Sequence, residues 1–117
     1  MKMKRVTMQG KDLQEHGRII LAHGEVTGHR HEVIGVGGEP IPFPRAQFFE
    51  EPDGRRVLLI EHVCELRHPE HGIITLDPAD PQQFRQGDVF LNPIAPGAWE
   101  VIRQREYAPD AIREVAD

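Results

Sequence analysis

The sequence predicts an all-β fold, a single-domain β-sandwich or β-barrel. Its 117 residues include 11 glycines and 10 prolines, which divide the chain into short segments. These segments are rich in valine, isoleucine, leucine and phenylalanine, as strands are, and glycine and proline are typical of the turns between strands. About seven short strands cannot bury their apolar faces in one flat sheet, so two packed sheets or a closed barrel are expected.

The N-terminal third predicts two strands and a loop. Residues 1–16 form a poorly defined N-terminal segment, whereas residues 17–27 and 31–36 have the apolar character of strands and are joined by a turn at Thr27–Gly28. Residues 37–45 contain three prolines. Because proline removes backbone donors, this stretch is expected to be a loop or a sheet edge.

Residues 46–68 predict a β-hairpin. Two apolar runs are joined by Glu51–Gly54, whose proline and glycine suit a tight turn. Side chains alternate between the two faces of a strand, and in the second arm this alternation defines a face expected to point into the core. That face consists of Leu58, Ile60, His62, Cys64 and Leu66.

The C-terminal third predicts three more strands and a short terminal helix. The strands are expected within residues 72–78, 87–93 and 97–107, and the helix over 109–117. The helix begins with a proline, which suits a first helical position. In the last strand, Arg103, Arg105 and Tyr107 would share a face. Their arginines would either bind a carboxylate or phosphate or, as we favour, pair with glutamates on neighbouring strands.

Composition excludes several classes of function. Lys and Arg number 14 against 19 Asp and Glu, and the net charge of -5 argues against nucleic-acid binding. Binding of nucleic acid through Arg55, Arg56, Arg103 and Arg105 is a third and weaker hypothesis. There is no apolar run suited to a signal peptide or a membrane span, so a cytoplasmic location is expected. Cys64 is the single cysteine, which excludes an intrachain disulfide, and serine is absent, which excludes a serine nucleophile.

Two histidine pairs predict a metal site. His29 and His31 lie in "GHRH", and His68 and His71 lie in "RHPEHG", each pair at the junction of predicted elements. Zinc, manganese, iron and nickel sites commonly use two or three imidazoles with a carboxylate. We therefore expect the two pairs to meet and at least three of these imidazoles to share a divalent ion. The alternative is that both pairs are ordinary solvated turns.

The other histidines are weaker candidates. His62 is expected to be a hydrogen-bonded core residue beside Cys64. His23 would support a ligand or face solvent, and His16 is expected to face solvent.

With "HRH" and the later "GDVFLNPIAPGAWE", the sequence resembles small cupins, a β-barrel family that binds metal through His-x-His, a glutamate and a later histidine. The resemblance implies a glutamate near residues 35–36, where the nearest candidate is Glu39, and a histidine where this chain has Glu100. Glu100 is therefore a candidate carboxylate ligand. Three stretches, "GEVTGHRH", "HPEHG" and "RQREY", also resemble a family of small uncharacterised bacterial proteins, which implies no activity.

Two hypotheses about function follow. In the first, a small β-domain binds a divalent metal through the paired histidine turns and acts on or senses a small molecule. In the second, the domain is a metal-free, non-enzymatic interaction module that forms a homo-oligomer or binds a protein partner. The fold alone identifies no substrate.

Overall fold

The computed structural model describes residues 10–24, 29–41 and 45–104, and these residues form an antiparallel all-β domain. The strands are β1 (Lys11–Asp12), β2 (Ile19–His23), β3 (Arg30–Gly35), β4 (Ala46–Glu50), β5 (Arg56–Ile60), β6 (Cys64–His68), β7 (Gly72–Leu76), β8 (Phe84–Gln86), β9 (Val89–Ala95) and β10 (Ala98–Arg103). A single 3-10 turn, Val36–Gly38, follows β3. The predicted helix over 109–117 and the turn at Thr27–Gly28 lie outside the described residues.

The strands form two sheets, and apolar residues of both supply the larger of two buried apolar clusters, which is the core. The larger sheet has the order β1-β4-β5-β10-β9-β8, and the smaller sheet has the order β2-β3-β6-β7. The core draws on both sheets, and its fully buried members include Leu21, Leu58, Leu66, Leu76, Leu91 and Trp99. The predicted all-β fold is confirmed, and two packed sheets are the form it takes.

The predicted hairpin is confirmed. Strands β4 and β5 pair with Glu50 opposite Arg56. The turn is closed by the Glu51 amide, which donates to the Arg55 carbonyl at 2.8 Å. Gly54 has a φ of 93°. This value is strained for residues with a Cβ, which explains the glycine at this position.

The prediction that His62 faces the core is wrong, whereas Cys64 is buried as predicted. The second arm of the hairpin is not one strand. It ends at Ile60 in the larger sheet and begins again at Cys64 in the smaller sheet. The three residues between them cross from one sheet to the other, so the alternation is interrupted and His62 lies exposed on the crossing.

The remaining strand predictions are confirmed, three with shorter bounds and two with bounds shifted by one or two residues. The two N-terminal strands, the strand after the histidine turn and the last two strands appear as β2, β3, β7, β9 and β10. Two short strands, β1 and β8, were not predicted. No helix within the described residues is long and apolar enough to cross a membrane.

The interior of the sandwich becomes polar at one end. His31 lies on the inward side of β3 with Val33, and His68 lies on the inward side of β6 with Leu66. Gln86, the last residue of β8, is also buried. These three polar side chains occupy positions where the rest of the core is apolar.

Candidate functional site

The four histidines predicted as ligands lie together at this polar end. Glu32 pairs with Arg67 in the β3–β6 ladder, so His31 and His68 are neighbours at the next position. The centroid of the His68 ring lies 4.4 Å from that of His31, 4.5 Å from that of His71 and 5.8 Å from that of His29. The predicted meeting of the two histidine turns is confirmed. We call His29, His31, His68 and His71 the histidine cluster.

A glycine in the β8–β9 turn makes room for two of these rings. Gly87 has a φ of 61°, and a Cβ at this position would lie 2.8 Å from Nε2 of His71 and 3.3 Å from Cε1 of His31. The His31 and His71 rings are nearly parallel, at 7°, with their centroids 6.1 Å apart. Any larger residue at position 87 would displace an imidazole.

Gln86 determines which nitrogen of His31 carries a proton. Its Nε2 donates to the carbonyls of Leu66, at 3.0 Å, and Gly72, at 2.9 Å. Because carbonyls only accept, these bonds fix the orientation of the amide and direct Oε1 at Nδ1 of His31, 2.8 Å away. His31 therefore donates from Nδ1, and in the neutral ring Nε2 carries a lone pair.

That lone pair lies beside a carboxylate. Nε2 of His31 is 3.3 Å from Oδ1 of Asp88, whose other oxygen accepts a 2.9 Å hydrogen bond from Nε of Arg103. Burial alone would raise the pKa of Asp88, but the hydrogen bond and positive charge of Arg103 outweigh it, so this pKa lies below its usual value. Two electron-rich atoms at this distance repel each other unless a proton or a metal ion lies between them.

His68 uses its ring differently. Its Nδ1 accepts the backbone N–H of Glu70 at 3.0 Å and of His71 at 3.2 Å. Its pKa is lowered, first by burial and then by the neighbouring imidazoles of His31, His71 and His29. The neutral ring therefore carries its proton on Nε2.

The outer rim of the cluster is more open. Nδ1 of His29 lies 3.6 Å from Oε2 of Glu70, and the exposed fractions of the two side chains are 27% and 64%. His71 is also exposed. In the part of the chain that the structure describes, no group of three or more His, Cys, Asp or Glu side chains is arranged to hold a metal ion as it stands.

Sequence reasoning missed two residues of this site, Gln86 and Asp88. Both flank Gly87 in "QGDV", a two-residue turn between strands that could have been recognised as a hairpin signal. Conversely, neither glutamate suggested by the cupin resemblance joins the cluster. Glu39 follows the opposite end of β3, and Glu100 alternates with the inward-facing Trp99 and so lies on the outer face of its sheet.

Cys64 is unsuited to nucleophilic chemistry. It is buried beside Leu66 in the core, and burial raises the pKa of its thiol to about 12. The thiolate, which is the reactive form, is therefore scarce at neutral pH.

Arg103, proposed from sequence as an ion-pair or anion-binding residue, pairs with Asp88 and also donates to the His23 carbonyl at 2.6 Å. Arg105 and Tyr107 lie outside the described residues.

Comparison with known proteins gives a family but no activity. No curated protein and no solved structure matches the chain. One family model, described as a domain of unknown function (DUF8820), matches residues 1–79. The matched residues contain all four members of the histidine cluster and end before Gln86 and Asp88. Since the match covers more than half of the sequence, the chain belongs to the DUF8820 family.

Proposed function

We propose that the domain binds one divalent metal ion at the histidine cluster, with His29, His31, His71 and Asp88 as ligands, and that the ion serves to sense or transform a small molecule. The observation that carries the proposal is the 3.3 Å separation between Nε2 of His31 and Oδ1 of Asp88. With Nδ1 of His31 engaged as a donor, a cation between these two atoms turns a repulsive contact into an attractive one.

The donor set suits a first-row transition metal. Imidazole nitrogens with one carboxylate oxygen are typical of zinc, manganese, iron and nickel sites. In many metal sites the ligating imidazole donates its other N–H to a fixed acceptor, which orients the ring and increases its basicity. Gln86, buried and held by two backbone carbonyls, supplies such an acceptor for His31.

Metal binding requires only the outer side chains to move. His31 is 3% exposed and held by Gln86, so it serves as the fixed ligand. The side chains of His29, 27% exposed, and of His71 are more accessible than that of His31, so they serve as the adjustable ligands. With Asp88, these ligands number four, which fills a tetrahedral zinc site but leaves a five- or six-coordinate ion such as manganese, iron or nickel a position for water or a small molecule.

The same contact supports an alternative. A proton on Nε2 would make His31 an imidazolium paired with Asp88, and the cluster would then be a structural feature of a metal-free interaction module. Such a module would self-associate or bind a protein partner. The two proposals differ in whether a divalent ion stabilises the fold.

Thermal unfolding of protein without an affinity tag tests the proposal. Zinc, manganese, nickel and ferrous iron are added separately to the wild type, to His31→Gln and to His62→Gln, the last being a control at an exposed histidine on the crossing between sheets. A metal at about a hundredfold excess over its Kd adds roughly 2.7 kcal/mol to the stability of the native state. This gain should raise the Tm by several degrees.

The rise in Tm on adding metal should be present in the wild type and His62→Gln, absent in His31→Gln, and reversed by a chelator. It should also weaken below about pH 6, because protonated imidazoles do not bind metal. If none of the four metals moves the Tm of the wild type, the metal proposal is wrong and the interaction module takes its place.

Several finer predictions accompany this proposal. They are that the protein is cytoplasmic, that the domain forms a homo-oligomer, and that its metal site resembles that of small cupins. Any small-molecule ligand is expected to bind at the ion, because that is where the proposed site leaves a position open.

A further inference from the structure

His68 lies at the centre of the histidine cluster, yet its ring is bonded to the backbone of its own turn. Strand β6 ends at His68 and β7 begins at Gly72, so the chain reverses over the three residues between them. Nδ1 of His68 accepts the amide protons of Glu70 and His71. This is how asparagine and aspartate side chains close tight turns, by bonding to backbone groups a few residues further along.

These bonds restrict what the other nitrogen can do. Backbone amides only donate, so Nδ1 has to keep its lone pair, and in a neutral ring the proton then lies on Nε2. Coordination through Nε2 would require removing that proton, or moving it to Nδ1, where it would face two N–H groups. His68 therefore binds a metal only by giving up both turn bonds or by becoming an anion.

We propose that His68 is a positioning residue, one that closes the β6–β7 turn through Nδ1 and thereby holds His71 beside His31, and that it is not itself a metal ligand. The inference rests on the proposed metal site and assigns a different role to one of the four histidines that the sequence nominated. It explains why the ring is 8% exposed although its neighbours His29 and His71 lie at the surface.

Two substitutions distinguish the role of Nδ1 of His68 from the role of its Nε2. The Oδ1 of asparagine is as many bonds from the backbone as the Nδ1 of histidine, so His68→Asn keeps the acceptor for the turn and loses Nε2. The amide nitrogen of glutamine corresponds to Nε2, so His68→Gln loses the turn acceptor. The zinc affinities of both variants are measured by competition with a chromophoric chelator, beside the wild type and His71→Gln.

We expect His68→Asn to bind zinc within about threefold of the wild type, and His68→Gln to bind roughly 10- to 100-fold more weakly, as when an orienting partner is lost. Amide hydrogen exchange provides a second measurement without metal. Protection of the Glu70 and His71 amides should persist in His68→Asn and fall in His68→Gln. In the wild type, the ring ¹⁵N resonances of His68 should keep the Nε2–H pattern when zinc is added.

The outcomes distinguish this inference from the proposed function. If the wild type binds zinc and His68→Asn loses binding as fully as His71→Gln, His68 is a ligand and only the positioning role is overturned. The same conclusion follows if zinc shifts the Nε2 resonance of wild-type His68, a result that does not depend on whether the variants fold. If the wild type binds none of the four metals, the proposed function fails, and equal protection of the Glu70 and His71 amides in wild type, His68→Asn and His68→Gln would separately overturn the positioning role.

Discussion

The two ends of the β3–β6 ladder illustrate two ways to fill the interior of a sandwich. At one end Gly35 lies opposite Cys64, whose side chain packs into the apolar core. At the other end His31 and His68 occupy inward positions and are satisfied by Gln86 and by the β6–β7 turn. The apolar end needs only suitable volume, whereas the polar end needs partners in fixed places, because each buried polar atom without a partner costs free energy.

The largest expected effect is at the polar end, in the variant Gln86→Leu. The substitution removes the acceptor for Nδ1 of His31 and the donor for the carbonyls of Leu66 and Gly72. Since each buried polar group left unsatisfied costs about 1–3 kcal/mol and three groups lose a partner, we expect a loss of at least about 3 kcal/mol in the free energy of unfolding. Urea denaturation measures this loss, with Gln83→Leu as the matched control at an exposed glutamine.

The comparison is sharpened by Cys64→Ala at the apolar end. Removing one buried apolar group costs about 1 kcal/mol, so this variant should lose less stability than Gln86→Leu although both side chains are 2% exposed. Equal losses in Gln86→Leu and Gln83→Leu would show that the buried amide contributes nothing specific, and the contrast between the two ends would disappear.

A smaller effect is expected from pH, again at the polar end. Burial and the neighbouring imidazoles hold the pKa of His68 in the folded protein below the ordinary histidine value of 6.5. The unfolded chain therefore binds more protons in the window just below pH 6.5, and stability falls as pH falls through this window toward the folded pKa. Urea midpoints measured with chelator present should fall more steeply with acid in the wild type than in His68→Asn. Parallel curves would contradict this assignment.

The same contrast explains what the sequence could predict. The alternation of apolar residues predicted the hairpin and the burial of Cys64 correctly, because burial of an apolar side chain depends on which face of the strand it occupies. The alternation predicted the wrong exposure for His62, where the chain crosses between sheets. An alternation of apolar and polar residues does not show where a chain passes from one sheet to another. Pairing of the histidines predicted their meeting. The roles of Gln86 and Asp88 escaped prediction because they depend on β8 and β9 lying next to the β6–β7 turn, a long-range arrangement.

The proposed metal site requires that His31 donate from Nδ1 and present Nε2 to a divalent ion shared with Asp88. Ring ¹⁵N NMR of the wild type, titrated with zinc at neutral pH, tests this directly. We expect one equivalent of zinc to shift the Nε2 resonance of His31 while Nδ1 stays protonated, and to leave the exposed His62 unchanged. If His31 shows two protonated nitrogens throughout and zinc perturbs none of its resonances, the contact with Asp88 is an imidazolium ion pair and the metal site does not exist.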